Sequence, residues 1–306
     1  MITVWLFFTL ATTLIWGLAE LFYKKGAREN EPYSHLKISV CVGAVMGLHA
    51  LFTLLTGDIG FTLRDMLVYL PVSLCYILSM TLSYFGMRFI EESISDPIEN
   101  TSGALCTLLC VIFLGEEISP LSAAAIALMV AGILGIGFLE RTGTTDRRRK
   151  LGRAMAIIAF AMPFCYALLD ALGSFLDVYY LDISLTPLLH VTEDSIEEVA
   201  NTAYELTFAL FALILWGFLK IKRVKFDLPH QRDKVLAAVF ETGGQFTYVY
   251  AMSGNGAIAA PIISAVCVVS LLLSRIFLKE KLTRLQYLFI SLVIAGIIVL
   301  AIAEGD

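Results

Sequence analysis

Five acidic residues lie inside long apolar segments of this chain. They are Glu20, Asp170, Asp177, Glu205 and Glu241. A carboxylate inside an apolar segment is energetically costly unless it faces a polar cavity or a bonding partner. Carboxylates that line a low-dielectric cavity can hold a cation and a proton in turn, which is the chemistry of an ion-coupled binding site. The acids therefore indicate a polar cavity inside an apolar protein.

Aromatic and polar residues recur on the same helical faces as these acids. Tyr166 precedes Asp170 by four positions, and Gln245 and Tyr248 follow Glu241 at helical spacing. Aromatic rings attract organic cations through cation–π contacts. The predicted substrate-binding residues are Trp16, Tyr76, Asn100, Tyr166, Asp170, Glu241, Gln245 and Tyr248. The predicted proton-coupling residues are Glu20, Asp170 and Glu241.

The segments that must position these residues are of membrane-spanning length. The chain has 306 residues, of which 58% are hydrophobic and 16% are charged, and its net charge is −5. A soluble protein carries about 25% charged residues, so the apolar surplus here predicts a lipid-facing surface. Apolar segments occur at 3–23, 35–56, 66–90, 97–115, 119–139, 154–180, 199–219, 233–253, 257–278 and 284–303. We predict an all-α integral membrane protein with ten transmembrane helices.

Lysine and arginine follow the odd-numbered segments. They cluster around 24–37, 141–153, 220–234 and 279–284, whereas the loop 181–198 carries acids and neither lysine nor arginine. The positive-inside rule then places the odd-numbered loops in the cytoplasm and both termini outside. We expect a multi-pass protein of the plasma membrane, with the first segment retained as a helix.

An internal repeat divides the chain. Residues 97–140 align without a gap to residues 261–304, so that Pro97 meets Pro261 and "AGI" recurs in register. Each half holds five segments, an odd number, so the halves must insert with opposite orientations. The predicted domains are a first repeat at 1–140, a basic cytoplasmic linker at 141–152 and a second repeat at 153–306. Inverted repeats of this kind place a substrate site near the midplane between the halves.

A shorter match aligns the first helix of each half. It pairs Trp16 with Tyr166 and Glu20 with Asp170. The two acids would then occupy equivalent positions in the inverted halves, which favours a cavity position for Glu20. The two lysines that follow Glu20 indicate the alternative, in which its carboxylate faces the headgroups.

The motifs of both halves resemble those of a known superfamily. They are "FLGEEIS…AGILGIGFLE", "FLKEKLT…AGIIVLAIAE", the pair Trp16-Gly17, and "NGAIAAPIISAVCVVSLLLSRIFLKEKL". Over essentially the whole chain they are similar to the drug/metabolite transporter superfamily, in its ten-helix, two-repeat branch. That resemblance implies a secondary transporter that works by alternating access. It also implies cytoplasmic termini, whereas the basic loops favour external ones.

The segment "LAELFYKKG" is similar to the first helix of the small multidrug resistance proteins. In those four-helix relatives a membrane glutamate binds a proton and a cationic drug alternately. The resemblance implies the same role for Glu20. We therefore predict a transporter of a small organic metabolite or drug, a cationic or zwitterionic amine, working as a proton-coupled antiporter.

Other functions and partners can be weighed from the same sequence. A flippase for a lipid or lipid-linked metabolite could share this fold, and a membrane-embedded enzyme is a weaker alternative because the chain has no HExxH, GxSxG or GxGD motif. The six cysteines form no CxxC pair, so we predict no metal site and no cofactor. The expected partners are the small-molecule substrate, protons and the lipid bilayer, without nucleic acid. The chain is expected to be a monomer or a homodimer.

Overall fold

All regular structure in the described part of the protein is helical. The computed structural model describes residues 4–26, 31, 33–86, 92–140, 153–277 and 282–304, so the predicted linker at 141–152 lies outside the described residues. The helices are α1 (Val4–Gly26), α2 (Ser34–Thr56), α3 (Leu63–Val68), α4 (Leu70–Gly86), α5 (Glu92–Glu99), α6 (Ser102–Leu109), α7 (Pro120–Glu140), α8 (Arg153–Leu181), α9 (Ile196–Ile221), α10 (Arg232–Ile263), α11 (Val266–Phe277) and α12 (Arg284–Ala303).

The helices have the length and apolar composition of membrane spans. Seven stretches in the described residues qualify singly, and α10 together with α11 raises the number to eight by length and composition. The helix α4 is apolar but shorter, at 17 residues. A π-helical turn at Cys110–Leu114 extends α6 and completes one of the seven stretches. The prediction of an all-helical membrane protein is confirmed.

The third predicted segment, 66–90, is divided into two helices. The division falls at Tyr69, which separates α3 from α4. Pro71 follows two residues later and has no backbone N–H, so it cannot donate the helical hydrogen bond to the carbonyl of Leu67. The chain bends there and directs the Tyr69 side chain into the protein, where it is 1% exposed.

The chain reverses direction inside α10. Asn255 interrupts this helix with φ −159° and ψ 69°. Before the interruption, Lys234 packs against Gly26 at the end of α1, and Gly254 packs against Trp5 at its beginning. After it, the chain returns along α1, where the Lys24 Nζ donates to the Ser270 Oγ at 3.2 Å. The reversal therefore falls in the gap predicted between the segments 233–253 and 257–278.

Both halves contain a helix that is broken near a proline. The break between α5 and α6 is at 100–101, three residues after Pro97, and the break between α10 and α11 is at 264–265, three residues after Pro261. The alignment of the two repeats pairs these breaks position by position. The sequence interpretation treated 97–115 and 257–278 each as one helix, and each contains such a break. The first still qualifies as a single candidate span, Asp96–Leu114.

The two broken helices bond to each other. Pro261 cannot donate to the carbonyl of Ala257, four residues earlier, and this carbonyl instead accepts a hydrogen bond from the Thr107 Oγ1 at 2.6 Å. The backbone N–H of Gly103 donates to the Ser264 Oγ at 3.1 Å. A Cβ at position 103 would lie 2.2 Å from that oxygen, so the contact needs a glycine. Backbone groups that the breaks release are thus satisfied across the two halves.

A buried ion cluster, which we call the lysine clamp, closes the end of the bundle where α1 ends and α10 begins. The Glu31 carboxylate accepts hydrogen bonds from the Lys37 Nζ at 2.6 Å, the Lys234 Nζ at 2.7 Å and the Gln231 Nε2 at 3.2 Å. The side chains of Lys37 and Lys234 are only 5% and 1% exposed. The lysine clamp joins the α1–α2 connection to α2 and α10. We call this end the basic end, and the end with the acidic 182–198 loop the acidic end.

Close packing of α2 on α9 gives a test of the helix arrangement. A Cβ on Gly43 would lie 2.3 Å from the Phe208 carbonyl oxygen and 2.5 Å from the Ala212 Cβ. Because that oxygen belongs to the backbone, Gly43→Ala is expected to destabilise the protein by roughly 1–3 kcal/mol. Thermal unfolding in detergent measures the change.

Gly217 provides the matched control for this substitution. It lies on α9 as well, and a Cβ there would meet nothing within 4 Å. Alanine is a better helix former than glycine, so Gly217→Ala should be neutral or stabilise by up to about 1 kcal/mol. Equal effects of the two variants would contradict the described contact between α2 and α9.

Candidate functional site

A cavity of about 150 Å³ lies in the middle of the bundle, and we call it the central cavity. Its wall combines side chains from both halves, on α1, α4, α5, α6, α8, α9, α10 and α11. All nine residues predicted from the sequence lie on this wall: Trp16, Glu20, Tyr76, Asn100, Tyr166, Asp170, Glu241, Gln245 and Tyr248. The structure brings them together, and their roles in binding and proton coupling stay predictions.

The charge on the wall of the central cavity is of one sign. Five carboxylates contribute to it, from Glu20, Asp96, Glu99, Asp170 and Glu241. Among the described residues that line it there is no lysine, arginine or histidine. Glu99 accepts a hydrogen bond from the Ser83 Oγ at 2.8 Å. Acidic side chains therefore outnumber basic ones on the described wall of the cavity.

Glu241 is held between aromatic side chains. The Tyr23 Oη donates to its Oε2 at 3.2 Å, and the carboxylate side chain is buried. The Trp16 Nε1 donates to the backbone carbonyl of Glu241, also at 3.2 Å. The Trp16 ring lies over Gly244, where a Cβ would come within 2.2 Å of the indole. Its centroid is 5.1 Å from that of Tyr248. Glycine at 244 thus lets an aromatic ring pack directly on α10 beside the carboxylate.

The Glu20 side chain lines the central cavity. Of the two positions that the sequence left open for its carboxylate, the structure has the cavity position and not the headgroup position. Its Oε2 is buried and has no hydrogen-bond partner among the described residues. Lys24 lies one turn further along the same helix and donates to Ser270. An acceptor atom that is buried without a donor is costly, so this oxygen is free to accept a hydrogen bond from a group in the cavity.

Asp170 lies on the α8 side of the cavity, beside the hydroxyls of Ser102 and Tyr166. Ser102 begins α6 and Asn100 stands at the break before it, with the Asn100 Nδ2 donating to the Asp96 carbonyl at 2.8 Å. The break thus places the polar side chains of Asn100 and Ser102 on the wall of the central cavity.

A layer of hydrogen-bonded hydroxyls closes the cavity towards the acidic end. We call it the tyrosine layer, and it consists of Tyr69, Tyr76, Ser174, Asp177 and Tyr248. The Asp177 Oδ1 accepts from the Tyr69 Oη, and its Oδ2 accepts from the Tyr76 Oη at 2.9 Å. The Tyr76 and Tyr248 hydroxyls are 2.6 Å apart, and each lies 3.1 Å from the Ser174 Oγ. Asp177 is 1% exposed.

Glu205 and His49 lie apart from the central cavity. The His49 Nδ1 is 2.8 Å from the Glu205 Oε2, and Glu205 is fully buried between α2 and α9. His49 keeps a third of its side chain exposed and packs edge-on against Phe246. This intramembrane acid therefore has a partner of its own and takes no part in the cavity wall.

Several wall residues were not predicted from the sequence. They are Tyr23, Tyr84, Asp96, Tyr204 and Ser264. Signals existed for two of them: Tyr23 lies three positions after Glu20 on the same helical face, and Ser264 aligns with Asn100 in the repeat. Tyr204 adjoins Glu205 in a segment whose spacing gave no indication of a cavity.

Comparisons with known proteins agree with the fold and the two-part organisation. The model of the EamA-like transporter family matches residues 3–138 and 184–302, one stretch in each half. A solved crystal structure superimposes with a TM-score of 0.70 over 97% of this chain and 96% of that chain, at 13% sequence identity, which shows the fold alone. A search of curated proteins finds none that matches this sequence.

The family match covers more than half of the chain, and its two parts contain all of the predicted site residues except Tyr166 and Asp170. The apolar helices make the protein a multi-pass membrane protein, and the family handles small-molecule substrates. This chain therefore belongs to the EamA-like transporter family of the drug/metabolite transporter superfamily.

Proposed function

We propose that this transporter exchanges protons for a small organic amine, cationic or zwitterionic, by alternating access. One observation carries the proposal: five carboxylates and no basic side chain line the central cavity in the described part of the chain. An excess of buried negative charge attracts cations and disfavours anions. The rings of Trp16, Tyr166 and Tyr248 are on the same wall, where they suit cation–π contacts.

The wall residues divide into three proposed roles. Glu241 and Asp170 hold the ammonium group and give it up to protons. Glu20 carries an exchanged proton, since its buried Oε2 has no donor among the described residues. Tyr76, Asn100 and Gln245 supply hydrogen bonds to the remainder of the substrate.

The proposed architecture has ten membrane crossings in two inverted repeats, at 1–140 and 153–306, joined by the basic linker 141–152. The reversal at Asn255 and the paired breaks near Pro97 and Pro261 support it. Because one chain would contain both repeats, a monomer is sufficient for transport. We place the protein in the plasma membrane with its termini outside, as the basic loops predict.

A ligand panel at two pH values tests the substrate class. Purified protein is heated with primary amines, quaternary ammonium ions, their neutral isosteres and carboxylic acids. Amines should stabilise the protein, by about 2.7 kcal/mol at a concentration 100-fold above Kd. The stabilisation should be larger at the higher pH, because protons compete with the cation for the same carboxylates.

Transport in liposomes completes the test. A pH gradient is expected to drive uptake of an amine that stabilises the protein, and each of Glu20→Gln, Asp170→Asn and Glu241→Gln should weaken that uptake. Stabilisation by neutral isosteres equal to that by amines would overturn the cationic substrate class. Movement of a fluorescent phospholipid between leaflets, without amine uptake, would indicate a flippase instead.

A further inference from the structure

A second cavity, which we call the end pocket, lies at the acidic end and encloses about 460 Å³. Its wall includes the reversal of α10 at Asn255 and four acidic side chains, from Glu116, Asp182, Glu193 and Glu197. Among the described residues, none that lines the end pocket also lines the central cavity. The two cavities are therefore separate in this conformation.

Only one helical turn separates the end pocket from the central cavity. On α8, Ser174 lines the central cavity and Val178 lines the end pocket. On α10, Tyr248 lines the central cavity and Met252, four residues later, lines the end pocket. Four residues of α-helix rise about 6 Å. Two independent helices thus give the same small thickness for the barrier.

The tyrosine layer fills this turn. Asp177 lies on it, one residue before Val178, and the hydroxyls of Tyr69 and Tyr76 satisfy both of its oxygens. These bonds tie α4 to α8, and the Tyr76–Tyr248 contact ties both to α10. On the end-pocket side the Val178 and Met252 side chains close over Gly256. The barrier is therefore polar on the face that a cation leaving the central cavity would meet.

We propose that the tyrosine layer is the closed gate between the two cavities and that the transport path continues into the end pocket. Asp177 is the gate carboxylate: when the tyrosine hydroxyls turn away, its charge is left without partners in a low-dielectric layer, and a passing ammonium group replaces them. This last step rests on the proposed amine substrate. The closure itself depends only on the hydrogen bonds of the layer.

The closure can be tested without a substrate. Met80→Cys places a thiol on the wall of the central cavity, and Asp194→Cys at an exposed site marks the side of the membrane that the acidic end faces. A membrane-impermeant thiol reagent is applied from that side, with the unsubstituted protein giving the background of its native cysteines. Adding Tyr69→Phe or Tyr76→Phe is expected to raise the labelling rate of Met80→Cys about tenfold or more.

Tyr250→Phe is the matched control. Tyr250 also lies on α10, two residues from Tyr248, but it packs on Phe8 and Phe246 outside both cavities. It should leave the labelling rate unchanged. Equal rates in all three tyrosine variants, each still monodisperse, would overturn the gate.

The Asp177→Asn variant tests the gate independently of substrate binding. Because Asp177 does not line the central cavity, amine binding should stay within about threefold of the unsubstituted protein, while transport falls at least tenfold. Full transport by this variant would refute the role of Asp177. Absence of amine binding in the unsubstituted protein would refute the proposed substrate class and leave the labelling result standing.

Discussion

Glu241→Gln is expected to lower amine transport at subsaturating concentration by roughly 30-fold or more. The amide keeps the size of the side chain and can still accept a hydrogen bond from Tyr23, but it removes the charge that the ammonium group needs. Removing one partner of a buried, hydrogen-bonded charge pair costs about 2–5 kcal/mol, and 2 kcal/mol corresponds to about 30-fold in affinity. Initial rates of uptake into liposomes measure the loss.

Glu205→Gln is the control for this substitution. Glu205 is a buried carboxylate of the same type, paired with His49, and it does not line the central cavity. It should transport amine within about threefold of the unsubstituted rate. A similar loss in both variants would mean that transport responds to any buried carboxylate, which would contradict a specific role for Glu241.

Glu31→Gln is expected to have the largest effect on stability. It breaks the lysine clamp and leaves Lys37 and Lys234, at 5% and 1% exposure, without their carboxylate partner. Removing one partner of a buried ion pair costs about 3–5 kcal/mol. Since Glu31 itself is 16% exposed, we expect the lower limit of about 3 kcal/mol. Thermal unfolding in detergent at neutral pH measures it.

At acidic pH, the Glu31→Gln variant and the unsubstituted protein should have the same free energy of unfolding. Partial burial raises the pKa of Glu31, but hydrogen bonds from Lys234 and Lys37 outweigh it and lower the pKa from its usual 4.5 to about 2. A group with a depressed pKa contributes its full stability above its unfolded value and loses it as the pH falls. The stability gap should therefore be constant above pH 4.5 and close between 4.5 and 2.

Asp227→Asn provides the comparison for an exposed pair. Asp227 contacts His230 at 2.8 Å, but these side chains are 60% and 72% exposed. Exposed pairs contribute about 0–1 kcal/mol, so this variant should unfold close to the unsubstituted protein. A Glu31→Gln variant as stable as Asp227→Asn would contradict the described burial of the lysine clamp.

The membrane helices and the cavity residues could be predicted from the sequence for a simple physical reason. Hydropathy and spacing are local properties, and a carboxylate such as Glu241 stands out in an apolar segment because its burial must be compensated. The repeat also indicated that acids from two helices would meet. The grouping of all nine predicted residues on one wall followed from these local signals.

The helix breaks were harder to predict from the sequence, because contacts with distant parts of the chain determine where they occur. The apolar segment predicted at 97–115 begins with Pro97, and a proline is compatible with the first turn of a helix. In the structure α5 begins earlier, and the break follows at 100–101. The tyrosine layer was missed for the same reason: Asp177 is visible as an acid, but its partners Tyr69 and Tyr76 come from about a hundred residues away.

The hydrogen bonds between the two broken helices have a consequence for how the protein is made. The Gly103 N–H finds its acceptor on Ser264, which the ribosome adds 161 residues later. At about 5–20 residues per second this delay is roughly 8–30 s. During that time the amide lies at membrane depth without Ser264, where an unsatisfied polar group is unfavourable. The first half therefore needs another acceptor for this amide until the second half has been made, so we expect the two halves to pack together only after the whole chain has been synthesised.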